Sequence, residues 1–75
     1  MTADEIRALI QAHLPGAEVA VATPDNVHFE AEVVWDGFAG KKLIEQHRLV
    51  NQALGTHLGT EVHALAIRTR VGEVR

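Results

Sequence analysis

Five histidines and no cysteine frame the chemistry open to this 75-residue chain. The lack of cysteine excludes a disulfide scaffold, a CxxC redox centre and any thiolate ligand, so a metal would have to be held by His, Asp or Glu. No H-E-x-x-H or comparable zinc spacing occurs. Two histidines stand out by position: His28 opens "HFEAEVV" and His63 lies near the start of "VHALAIRT". Imidazole at a strand end is a borderline metal ligand, although a strand histidine beside Leu65 and Ile67 is also an ordinary hydrogen-bonded side chain. His47 in "EQHRL" reads as a helix histidine packed at the edge of a core. His13 and His57, near helix ends, can interact with terminal carbonyls and the helix dipole, and carry no site role.

A second set of residues is cationic. Gly37-Phe38-Ala39-Gly40 followed by Lys41 and Lys42 spells G-x-x-G with two lysines where a phosphate would lie. Arg48 follows on the same segment, and Arg68 and Arg70 lie near the C-terminal end. A clamp of the KH type needs its G-x-x-G between two helices, with backbone N–H groups against the nucleic-acid backbone. Here the four residues join a strand to a helix. A Walker A loop fails as well, because it would require glycine at Trp35 and a hydroxyl residue at Lys42. The glycines are better explained as a strand-to-helix joint with Phe38 plugging the core. Glu30 and Glu32 alternate along a strand and read as a solvated face rather than a carboxylate pair for glycoside chemistry. No Ser–His–Asp arrangement can be argued.

The elements that must position these residues follow from pattern. "TADEIRALIQAHLPG" sets Thr2 and Glu5 at capping-box spacing, an apolar stripe of Ile6, Leu9, Ile10 and Leu14, and a Pro15-Gly16 stop. "AEVAVAT" alternates weakly, and "PDN" is turn chemistry. "VHFEAEVVW" is the clearest strand, with Val27, Phe29, Ala31, Val33 and Trp35 on one face. Residues 41 to about 53 read as a second helix whose apolar side is Leu43, Ile44, Val50 and Leu54, stopped by Gly55. "VHALAIRT" is the last strand. The order is helix, strand, strand, helix, strand. The first two strands should form an antiparallel hairpin. A right-handed return then places the third strand parallel to the second, with both helices on one face of a three-stranded mixed sheet. That α+β topology would bring the starts of the strands, and with them His28 and His63, to one rim of the sheet.

Length and composition bound the whole. A chain this short makes one domain, residues 1–75, and buries only about 60% of its unfolded surface. An apolar content of 47% is that of a globular protein. A net charge of −3 with neutral histidines disfavours non-specific coating of nucleic acid. No basic region followed by an apolar stretch marks a secretory signal, and no apolar run is long enough to cross a bilayer, so a cytoplasmic protein without a membrane role is expected.

The stretches "HFEAEVV", "DGFAGKKLIEQHRLV" and "VHALAI" closely resemble the BolA family, small helix–strand–strand–helix–strand proteins with a KH-like arrangement. The resemblance runs from Val27 to Thr69, and the N-terminal helix fits in pattern. It implies a non-enzymatic adaptor that shares a bridging [2Fe–2S] cluster with a monothiol glutaredoxin, together with glutathione. No cluster is expected in the isolated protein, which would be a monomer or weak homodimer. The resemblance makes His63 a cluster ligand. A second ligand, His or Cys, usually comes from the loop between the first two strands; that loop is short here, "TPDN", and resembles the bacterial subgroup lacking the longer His-bearing loop, so that His28 is the histidine available nearby. Many members continue past the last strand with threonine-proline and a tryptophan-bearing helix, where this sequence has "RTRVGEVR". The resemblance equally permits a DNA-binding transcriptional regulator, whose contact surface would be Lys41, Lys42, Arg48, Arg68 and Arg70. A small structural protein without a ligand is the third reading.

Overall fold

A computed structural model describes residues 1–60, 62 and 64–72. The first helix, α1, spans Ala3–His13, and its N-terminus carries the expected capping box. The Thr2 hydroxyl accepts from the Glu5 N–H at 3.2 Å, and the Glu5 carboxylate accepts from the Thr2 N–H at 3.1 Å. Two of the four orphan donors of the helix are thereby satisfied. Ile6 and Ile10 are fully buried and Leu14, at the C-cap, follows them inward.

Two strands come next, β1 at Glu18–Ala22 and β2 at His28–Trp35, paired antiparallel with Glu18 opposite Val34 and Ala22 opposite Glu30. A second helix, α2, covers Leu43–Leu54, and the last strand, β3, covers Ala64–Val71. The sheet order is β1-β2-β3, and β3 runs parallel to β2 with His28 opposite Ala64 and Glu32 opposite Arg68. The helix–strand–strand–helix–strand order and the mixed sheet agree with the sequence pattern.

Phe29, Ala31 and Val33 point from β2 into the core, where they meet Ile6, Ile10, Val50 and Leu54 from the two helices. Both helices therefore cover one face of the sheet. The opposite face is open and carries the alternate residues: His28, Glu30 and Glu32 of β2, Ala20 and Ala22 of β1, and Ala66, Arg68 and Arg70 of β3. This is the period-two alternation of a sheet buried on one side only.

Three local expectations change. Val27, placed on the core face by alternation, is 47% exposed, because its N–H is held by the Asp25 carboxylate and it belongs to the turn before β2. The second helix begins at Leu43 rather than Lys41. Gly40 has φ +77°, Lys42 is extended at the N-cap, and the Glu45 carboxylate accepts from the Lys42 N–H at 3.1 Å. Both lysines thus precede the first helical turn, although Lys42, at the cap, still stands beside the positive end of the dipole. Leu43 and Ile44, read as part of the apolar side, are exposed. The inward position of that first turn belongs instead to Gln46, and Phe38, fully buried, already closes that end of the core.

The joint between β2 and α2 is a short 3-10 turn at Asp36–Phe38. A Cβ on Gly37 would stand 2.5 Å from the Trp35 indole, so only glycine lets that ring fold back. The indole meets the Phe38 ring edge-on at 5.3 Å, and its N–H donates to the Pro15 carbonyl at 2.9 Å. The G-x-x-G is therefore a strand-to-helix joint, as its sequence context implies.

Candidate metal-ligand rim and cationic surface

His28 is positioned by the turn that precedes it. The Thr23 hydroxyl accepts from the Asn26 N–H at 2.9 Å and donates to the His28 carbonyl, while Asn26 takes φ +59°. One oxygen of Asp25 accepts from the N–H groups of both Val27 and His28, each at 2.9 Å. Its other oxygen lies 2.8 Å from His28 Nδ1. A carboxylate can only accept, so the ring nitrogen facing it carries the proton. In the neutral ring the lone pair is then on Nε2. The His28 side chain is 69% exposed. A carboxylate that fixes the tautomer and orientation of an imidazole in this way is the usual support of a histidine metal ligand. The His28 N–H first, and then its ring and the Val27 N–H, hold the Asp25 carboxyl at about 2, well below its ordinary value.

His63 lies outside the described residues. Its neighbours in sequence are described: Val62 is buried, and Ala64 stands opposite His28 in the parallel ladder. Val62 is reached through a tight connector in which its N–H donates to the His57 carbonyl at 3.0 Å and its carbonyl accepts from the Gly59 N–H at 2.8 Å. Among the described residues no three His, Asp or Glu side chains cluster as a self-sufficient metal site.

The five cations do not share one surface. Lys41 and Lys42 precede α2 and Arg48 is on its exposed side, whereas Arg68 and Arg70 alternate onto the open sheet face. The helices cover the other face, so strand alternation separates the two groups. Arg70 is also engaged by Glu32 at 3.5 Å. The single contact surface expected of these residues is thus two. His28 and Lys41 also lie at opposite ends of β2, whose eight residues span roughly 23 Å.

Sequence reasoning identified "PDN" as a turn but missed that Asp25 would hold His28. An Asp two and three residues before the N–H groups it accepts from is a recognisable Asx-type signal. It also missed Gln46, which is 9% exposed: its amide donates to the Lys41 carbonyl at 2.9 Å and accepts from the Thr69 hydroxyl. No helix among the described residues is long and apolar enough to cross a membrane.

Two helices on one face of a mixed three-stranded sheet, with β3 returning parallel to β2 and a carboxylate-supported histidine at its rim, define a small α+β domain of KH-like arrangement. The BolA-like protein family matches residues 5–73, and the chain belongs to that family. A bolA protein homologue from Coxiella burnetii superposes with a TM-score of 0.81 at 36% identity, over 96% of this chain and 91% of that one. The BolA domain of SufE1 from Arabidopsis thaliana gives 0.80 at 30% identity, over 92% and 89%. The protein named DNA-binding transcriptional regulator BolA in Vibrio cholerae is 50% identical over 42 residues, 56% of this chain and 40% of that one. A putative bolA-like protein of Caenorhabditis elegans is 58% identical over 40 residues, 53% and 37% of the two chains. The matched stretches thus span about two fifths of these curated relatives.

Proposed function

We propose that this chain is a non-enzymatic adaptor in iron–sulfur handling, sharing a [2Fe–2S] cluster with a monothiol glutaredoxin and its glutathione. The observation that carries this reading is the Asp25–His28 pair, a preorganised imidazole on the rim where β3 begins. The donor chemistry fits a shared cluster. Having no cysteine, the chain supplies no thiolate; imidazoles can replace thiolates on one iron, and the remaining thiolates must come from a partner. His63 and His28 are the ligands in this reading, with Asp25 orienting His28. Binding would weaken at acidic pH, because protonation of a neutral imidazole competes with iron.

The test is co-expression with a monothiol glutaredoxin, followed by visible absorption and circular dichroism of the purified complex. The expected result is a cluster spectrum that changes in His63→Ala and in His28→Ala. Spectra and cluster lifetimes identical to wild type in His63→Ala would remove that residue as a ligand, and the same result in both variants would defeat the shared-cluster reading.

A second reading, a DNA-binding regulator, is favoured by Lys41, Lys42 and Arg48, which stand exposed about α2. It predicts DNA affinity that falls steeply with salt and with Lys41→Ala/Lys42→Ala. Affinity indifferent to both would eliminate it.

A further inference from the structure

Leu43 and Ile44 belong by pattern to a buried helix face, yet they are 62% and 59% exposed. Four large hydrophobic side chains are exposed among the described residues, and these two are neighbours in one turn, while Val27 and Val71 lie at strand ends. Lys41, Lys42 and Arg48 stand around them. Among the described residues, no ion pair engages any of these three cations. Lys41 and Arg48 also border a shallow concavity of about 220 Å³ with Glu45, Leu49 and Gln52.

We propose that the first turn of α2 is a protein-docking surface, occupied by the monothiol glutaredoxin through an acidic patch that surrounds an apolar centre. This inference rests on the adaptor reading above. Three considerations select such an occupant. A phosphate backbone would satisfy the cations but has nothing to offer Leu43 and Ile44, and the chain as a whole is negative, at −3. A second copy related by a two-fold axis would set this patch against itself, opposing each cation to its like. An acidic protein surface with an apolar middle satisfies both features, since interfaces bury an apolar core inside a polar rim and gain selectivity from complementary charge.

The reach is compatible with a single partner. The 12 residues of α2 lie between its first turn and the rim end of the sheet, about 18 Å at about 1.5 Å per residue. A domain of about 100 residues has a radius of gyration of about 13 Å and can cover that length. Docking and cluster ligation would then occupy opposite ends of this molecule and be separable by mutation.

The experiment is calorimetric titration of the cluster-free glutaredoxin into the full chain, repeated at low and high salt, with the cluster spectrum of each reconstituted complex as a second readout. Leu43→Ser/Ile44→Ser is expected to weaken cluster-free affinity about tenfold or more, as loss of a central apolar anchor does. Lys41→Glu/Lys42→Glu is expected to weaken it as well and to flatten its salt dependence, and Lys41→Glu alone to do so in part, whereas Arg7→Glu, a single charge reversal on α1, leaves it near wild type. Both substituted pairs are exposed, so folding is expected to persist, and circular dichroism of the free variants checks it. Wild-type affinity in Leu43→Ser/Ile44→Ser overturns the docking surface while leaving the adaptor reading intact. If the wild-type chain forms no complex with the glutaredoxin, cluster-bound or cluster-free, the adaptor reading fails and the docking surface with it. A DNA duplex whose binding depends on Lys41 and Lys42 but ignores Leu43 and Ile44 would reassign the surface to nucleic acid.

Discussion

At the rim, one carboxylate organises His28 and the turn before it. Asp25 takes two backbone N–H groups on one oxygen and the His28 ring on the other. Its carboxyl is held at about 2, below an unfolded value near 3.8, so the folded turn favours the ionised form. The stabilisation is therefore complete above about pH 4 and is lost as pH falls from there toward 2. Amide hydrogen exchange read by NMR should show Val27 and His28 losing protection across that window. In Asp25→Ala the same two amides should exchange quickly at every pH, and His28 should lose its fixed tautomer. Protection unchanged by either acid or substitution would mean that the turn is held by Thr23 and Asn26 alone. Little of this was legible from residue types. "PDN" announces a turn, but the donors its carboxylate captures depend on the backbone angles that Asn26 adopts at φ +59°.

Among the elements, α2 and β3 are tied by a polar link inside an otherwise apolar layer. Gln46 is nearly buried between the Lys41 carbonyl and the Thr69 hydroxyl, so its amide oxygen and nitrogen are both satisfied. Thr69→Val keeps the shape of that side chain but leaves the Gln46 oxygen without its donor. The expected cost is about 1–3 kcal/mol, the penalty for stranding a buried polar group. Gln46→Leu combined with Thr69→Val should recover part of that loss, because the Gln46 oxygen is removed along with its donor and the Lys41 carbonyl, which also loses the Gln46 amide, belongs to an exposed residue that water can reach. Urea titration of the two single variants and the double variant measures the coupling; additive losses would show that the link contributes nothing of its own. The strands and the order of elements were readable because "HFEAEVV" alternates cleanly and the helix stops are chemical. The rotation and start of α2 were not. Leu43 and Ile44 look like core residues in a helical pattern, and only the position of Phe38 beneath that end and the partner Thr69, 23 residues beyond Gln46 in the chain, decide otherwise.

For the molecule as a whole, small size makes each large core residue decisive. At about 0.05–0.15 kcal/mol per residue, a domain of this length has a total stability of about 4–11 kcal/mol. Phe38 is fully buried, closes the core where β2 turns into α2, and packs edge-on against Trp35. Phe38→Ala should cost about 3–5 kcal/mol through lost burial and the cavity left behind. That is roughly a quarter to nearly half of the available stability even at the upper bound. A domain near the lower bound would be left with a net stability of about zero, so that folded and unfolded chains coexist at room temperature. Phe38→Leu should cost far less, since it retains most of the volume. Trp35 provides the reporter, because the chain has no other tryptophan and its indole touches both Phe38 and the Pro15 carbonyl. In urea titrations followed by tryptophan fluorescence, Phe38→Ala should shift the midpoint strongly downward with the transition still cooperative. The far-ultraviolet circular dichroism of the helices should melt along with it, because Phe38 belongs to the same buried cluster as Ile6 and Val50. If fluorescence changed early while the helices melted at the wild-type midpoint, the joint would be a local unit, and the molecule would contain two separable layers instead of one core.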